Sequence, residues 1–128
     1  MAGLKLNGSG QAKMATLEEC ITLLQRVHSL VEQYALQIKR AQPGGHILAT
    51  LRRTLPILQG KLKNQFGMIS DQVMAVNLST SRGASDIIRI RTYREGVAQI
   101  KQALDIAVTQ TIEKHKEHAE PKGEGSAT

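Results

Sequence analysis

Residues 17–38 read LEECITLLQRVHSLVEQYALQI. Leu17, Leu24, Val31 and Ile38 recur at every seventh position, and Cys20, Val27 and Tyr34 fill a second row three positions on. This spacing lines one side of an α-helix with apolar side chains, and such a stripe has to be buried against another surface. Ile21, His28 and Ala35 widen it. Thr16 and Glu19 stand at the spacing of a capping box, which predicts a helix start at Thr16. Glu18 and Glu19 suit the positive end of the helix dipole, and Lys39 and Arg40 the negative end. Pro43, Gly44 and Gly45 then stop the helix. A helix over residues 16–41 would be about 39 Å long.

Two further stretches carry the same kind of pattern. Between His46 and Leu78, the residues Leu48, Leu51, Leu55, Leu58, Leu62, Phe66, Ile69, Val73 and Val76 keep helical phase throughout. Pro56 falls inside this run, where a proline lacks the amide for the i−4 bond and clashes with that carbonyl. Because the phase continues across Pro56, the expectation is one long helix kinked there, or two nearly collinear pieces capped by Thr54. Gly60 and Gly67, seven apart, read as tolerated within the helix at about 1 kcal/mol each against Ala rather than as close-contact sites. Residues 79–83, STSRG, read as a loop. A third helix is expected to start with Ser85 or Asp86 as its cap and to run to about His115, with Ile90, Tyr93, Val97, Ile100, Leu104, Ala107, Val108 and Thr111 on its core line.

Joined by short glycine-containing turns, these segments predict an all-α fold. The expected form is an antiparallel three-helix bundle with a long second helix, or a four-helix bundle if that helix breaks at Pro56. The composition agrees. With 128 residues the chain is long enough for one domain with a real core. Only 2% of it is aromatic, with no Trp, so the core must be aliphatic, as helix seams allow. Residues 1–14 read as a disordered leader, 15–116 as the bundle, and 117–128, polar and rich in Gly and charge, as a disordered tail.

Several functional classes find little support. No apolar run is long enough for a membrane span. The single cysteine, Cys20, excludes an intrachain disulfide and lies on the apolar stripe, so it reads as a small buried hydrophobe. Absence of a disulfide framework fits a reducing compartment, and the expected location is cytoplasmic. The chain carries no nucleophile elbow, phosphate-binding loop, HExxH or CxxC motif. Its carboxylates gather at helix ends and in the tail, so no catalytic residues, cofactor or metal are assigned and no enzyme is expected. His28 sits at the edge of the first stripe, and His115 and His118 fall short of the four ligands that a structural zinc site needs.

Charge gives the clearest lead. Residues 39–101 hold eleven Lys or Arg and three Asp or Glu, so this segment carries +8 in a chain of net charge +6. Arg52, Arg53, Lys61, Lys63, Arg82, Arg89, Arg91, Arg94 and Lys101 are candidate contacts to phosphates or to an acidic partner. A hairpin turning at 79–84 would set Arg91, Arg94 and Lys101 opposite Lys63 and Lys61 as one ridge. Ile88 and Ile106 fall on nearly the opposite side of the third helix from its core line, which suggests a second contact surface. The function expected first is therefore a non-enzymatic interaction module with a basic face, binding a protein partner or a copy of itself. The alternative is an accessory nucleic-acid-binding protein that contacts phosphates through 52–101. With no exposed aromatic stacking set, that alternative would rest on backbone electrostatics and be steeply salt-dependent.

Overall fold

The structure, a computed structural model of the chain, describes residues 7–81 and 83–115. These form four helices: α1 (Gly8–Lys39), α2 (Gly45–Leu62), α3 (Gly67–Ser79) and α4 (Asp86–His115). α1 packs against α2 and α4, and α3 packs against the same two, while the diagonal pairs α1/α3 and α2/α4 do not meet. Cross-helix pairs fix the directions. Lys61 near the end of α2 meets Glu19 in the first half of α1, and Arg94 early in α4 meets Glu32 late in α1. Successive helices are antiparallel, giving an up-down-up-down arrangement.

The heptad residues become the core. Leu17, Cys20, Leu24, Val27, Val31 and Tyr34 of α1 are buried together with Leu48, Leu51, Leu55, Leu58 and Leu62 of α2. Ile69, Val73 and Val76 of α3 and Tyr93, Val97, Ile100 and Leu104 of α4 complete it. Burial removes the Cys20 thiol from water and pushes its pKa up to about 11, so it stays protonated and unreactive at neutral pH.

The chain does not break or divide at Pro56. That proline lies inside α2, exposed, and the helix runs on to Leu62. Proline inside a helix costs about 3 kcal/mol. A break there would take Leu51, Leu55, Leu58 and Leu62 off a common line, and each buried leucine contributes roughly 1.5–3 kcal/mol, so packing prevails. The reversal comes instead at residues 63–66, where Lys63, Asn64 and Gln65 are exposed and offer no apolar group to bury. Phe66 leaves helical geometry at φ −138°, ψ 60°. Its amide still bonds to the Leu62 carbonyl (2.8 Å), and its own carbonyl accepts from the Ser70 amide (3.0 Å). Leu62, Phe66 and Ile69 are four and three apart, so the sequence stripe passes through the turn without a phase change. The single long second helix is thereby corrected to two antiparallel helices, and the three-helix arrangement to four. Ser70, buried, ties them together by donating its hydroxyl to the Gln59 carbonyl at 3.1 Å.

The first helix begins eight residues before Thr16. Asn7 is its N-cap, its side-chain oxygen accepting from the Gly10 amide at 2.8 Å. Thr16 is an interior residue whose hydroxyl donates to the Ala12 carbonyl at 3.2 Å. Residues 7–14, expected in a disordered leader, are therefore part of the bundle. Their glycine-rich composition is outweighed by tertiary contact. Gly10 is buried, Met14 packs on the core, and the Asn7 amide donates to the His115 carbonyl at 3.0 Å. Residues 1–6, the remainder of that leader, and the tail 117–128 lie outside the described residues.

Close approaches set the two loop ends. α1 closes in a Schellman motif, with the Gln42 amide donating to the Gln37 carbonyl (2.8 Å) and the Ala41 amide to that of Ile38 (3.0 Å). Ala41 holds the left-handed position at φ 57°, which usually belongs to glycine. The chain then passes so near Tyr34 that a Cβ at Gly44 would lie 2.7 Å from the ring. On the far side of the bundle α3 and α4 touch at Gly96, where a Cβ would stand 2.3 Å from Val76 Cγ2. Gly60 and Gly67, by contrast, face open space.

Candidate interaction surface

The basic residues divide into groups with different surroundings. Arg52 and Arg89 converge on the end of α3. The Thr80 carbonyl accepts from Arg89 Nε at 3.1 Å and from Arg52 Nη2 at 3.4 Å, and Arg89 Nη2 donates to the Ser81 carbonyl at 3.3 Å. Thr80 is fully buried and turns its hydroxyl back to the Val76 carbonyl (2.8 Å). Two guanidinium groups thus satisfy the C-terminal carbonyls of a helix, where positive charge is favoured. Arg89 also pairs with Asp86, which accepts the Tyr34 hydroxyl. Burial, and then the Asp86 acceptor, push the Tyr34 phenol above its ordinary pKa.

Three others face carboxylates on the surface. Arg94 grips Glu32 in a two-pronged pair at 2.8 and 3.0 Å, and that hydrogen bond holds the Glu32 carboxyl below its usual pKa. Lys101 pairs with Asp105 at 3.0 Å and Lys61 with Glu19 at 3.8 Å. Arg53 donates to the Thr50 hydroxyl at 3.2 Å. Among the described residues, Lys63 and Arg91 have no ion pair. Arg82 lies outside the described residues. The expected ridge of Arg91, Arg94 and Lys101 opposite Lys61 and Lys63 does not form. The turn at 63–66 inserts α3 between α2 and α4, and those two helices do not meet.

Ile88 and Ile106 are each 50% exposed. Along α4 they are about 27 Å apart, so they mark two places rather than one. Ile88 stands near the loop end with Leu78 and Ile87, both exposed. Ile106 stands at the opposite end, and there the surroundings form a site.

That site follows from helix lengths. α1 and α4 have 32 and 30 residues, and α2 and α3 have 18 and 13. Lys61, at the end of α2, pairs with Glu19, eleven residues past Gly8, so the α2/α3 hairpin stops about 16 Å short of the start of α1, at 1.5 Å per residue. A groove of about 560 Å³ occupies the step. Phe66, Met68 and Ile69 from the start of α3 and Ala103, Ile106 and Ala107 from α4 line it, together with Gln65, Gln72, Gln110 and Thr111. Met68 is 85% exposed, the largest value among the exposed large hydrophobic side chains. At the outer end stand Lys13, Lys114 and His115. Lys13 Nζ lies 3.3 Å from His115 Nε2, so the ammonium donates to a neutral imidazole. Burial, then Lys13 and Lys114, hold the His115 pKa below its usual value. No carboxylate lines the groove.

A second hollow, of about 720 Å³, lies over α1 and the end of α2, but Leu23 is its sole large apolar residue and both charge signs line it. Of the groove residues only Ile106 stood out in the sequence. Met68 follows a turn that leaves no phase signature, and Lys13 gains its place only because α1 outruns α2.

Among the described residues no three His, Cys, Asp or Glu side chains are grouped to hold a metal ion, and no helix is long and apolar enough to cross a membrane. Comparison of the chain with protein-family models, with curated proteins and with solved structures yields no match.

Proposed function

We propose that this chain is a non-enzymatic helical-bundle interaction module that holds a protein partner in the groove between α3 and α4. One observation carries the reading: the bundle buries its heptad seams internally and still leaves Met68 and Ile106 exposed, with half-buried Phe66, around an open groove. Large apolar side chains gathered in a concavity and edged by polar groups are the usual form of a docking site. The single cysteine, buried in the core, is in keeping with a cytoplasmic protein.

Phosphate binding through 52–101 has less in its favour. Arg52 and Arg89 serve the α3 terminus, and Lys61, Arg94 and Lys101 already face carboxylates.

Affinity capture from the native host with the unaltered chain and with Ile106→Asp tests the proposal. A protein retained by the first and lost from the second, with the melting temperature unchanged, is the expected result. Equal retention by both would remove the groove from the account. Self-association is the other branch, and light scattering would reveal it as an oligomer that Ile106→Asp dissolves.

A further inference from the structure

The groove has an apolar end and a cationic end, and this asymmetry restricts what can fill it. Met68, Ala103 and Ile106 offer contacts to apolar anchors, with Gln65, Gln72, Gln110 and Thr111 beside them as hydrogen-bonding groups. Lys13 and Lys114 gather positive charge at the other end, beside the neutral His115 imidazole. Among the described residues neither lysine has an ion pair. The step between Ala103 and His115 measures about 18 Å along α4, the length of roughly three helical turns.

Resting on the interaction reading above, we propose that the occupant is an acidic amphipathic helix of about three turns, laid with its carboxylates over Lys13 and Lys114. Its apolar residues, at i, i+3 or i+4 and i+7, would seat against Met68 and Ile106 as helices do in apolar grooves. The carboxylates would pair with these lysines and steer the encounter. The chain's own segments fit less well. Residues 117–128, EHAEPKGEGSAT, carry carboxylates but no large aliphatic side chain. Residues 1–6, MAGLKL, carry leucines but add a lysine and no carboxylate. A second copy would bring a groove that also lacks carboxylates.

The test uses the full chain and end-blocked synthetic peptides of about 14 residues with leucines at helical spacing. One peptide has three Glu in its last turn, and in another these are Lys. Fluorescence anisotropy reads their binding at about 50 and about 500 mM salt. The acidic peptide should bind roughly tenfold tighter at low salt, a gap that narrows at high salt. Lys114→Glu should erase the preference, and Ile106→Asp should abolish binding of both. Equal affinities, or a preference that survives Lys114→Glu, would overturn the acidic partner. If those equal affinities still vanished in Ile106→Asp, the interaction surface itself would stand. Failure of every peptide to bind would also overturn the proposal. So would binding that appears only once residues 1–6 are removed, which would give the groove to the chain's own leader.

Discussion

The Tyr34 hydroxyl donates to the Asp86 carboxylate, joining the last turns of α1 to the first turn of α4. Asp86 in turn meets Arg89, which with Arg52 holds the Thr80 carbonyl. The loop end of the bundle is thus fastened by one chain of polar contacts that reaches all four helices, while the opposite end is stepped and open. Tyr34→Phe removes the donor and leaves the carboxylate to Arg89 alone. A hydrogen bond to a charged group contributes about 1.5–3 kcal/mol, so a loss near the lower figure is expected in urea unfolding.

The same phenol predicts a pH response. Its folded pKa is raised above the value of about 10 that it has when unfolded. The stabilisation is therefore complete below pH 10 and is lost as pH rises through the folded pKa. Melting temperatures measured from pH 8 to 12 should fall more steeply for the unaltered chain than for Tyr34→Phe. Parallel curves would place no linkage at this group.

Gly96 and Val76 give a packing test. A Cβ at position 96 would come within 2.3 Å of Val76 Cγ2. Gly96→Ala gains up to about 1 kcal/mol in helix propensity but overpacks the α3/α4 contact at a cost of about 1–3 kcal/mol. A net loss is expected. In the double variant with Val76→Ala the penalty should be smaller than the sum of the single ones by more than 0.5 kcal/mol, roughly the coupling of residues in contact. Additive losses would mean that the helices separate without cost.

Ala41 is the opposite case. At φ 57° it holds a conformation that costs a residue with a Cβ about 1–2 kcal/mol. Ala41→Gly gives back some of this to greater freedom of the unfolded chain. It should still stabilise by roughly 0.5–1 kcal/mol, read as a rise in melting temperature.

How much of this was legible in the sequence depends on the kind of signal. The heptad rows from Leu17 to Tyr34 and from Tyr93 to Leu104 predicted buried faces, and those residues are buried. Ser85, read with Asp86 as the cap of the last helix, accepts the Ile88 amide at 3.2 Å. The turn at 63–66 was hidden because periodicity records spacing and not direction, and Leu62, Phe66 and Ile69 keep their spacing through it. Pro56 drew attention because its local cost is visible, whereas the leucines that outweigh it act through tertiary burial. The start of α1 was misplaced for a related reason. Asn7 and Gly10 look like leader until the end of α4 comes to lie against them. The groove depends on both features, so the sequence could offer only Ile106, and the excess of basic charge in 39–101 lies elsewhere.

Proximity labelling tests whether the groove docks a protein. A photo-crosslinking residue is placed at position 68, where Met68 projects at 85% exposure, and in a second protein at position 53, where Arg53 is exposed on α2. Both are irradiated in native-host extract. One discrete adduct is expected from position 68, suppressed by Ile106→Asp, and none from position 53. The same adduct from position 53, or its persistence in Ile106→Asp, would contradict docking in the groove.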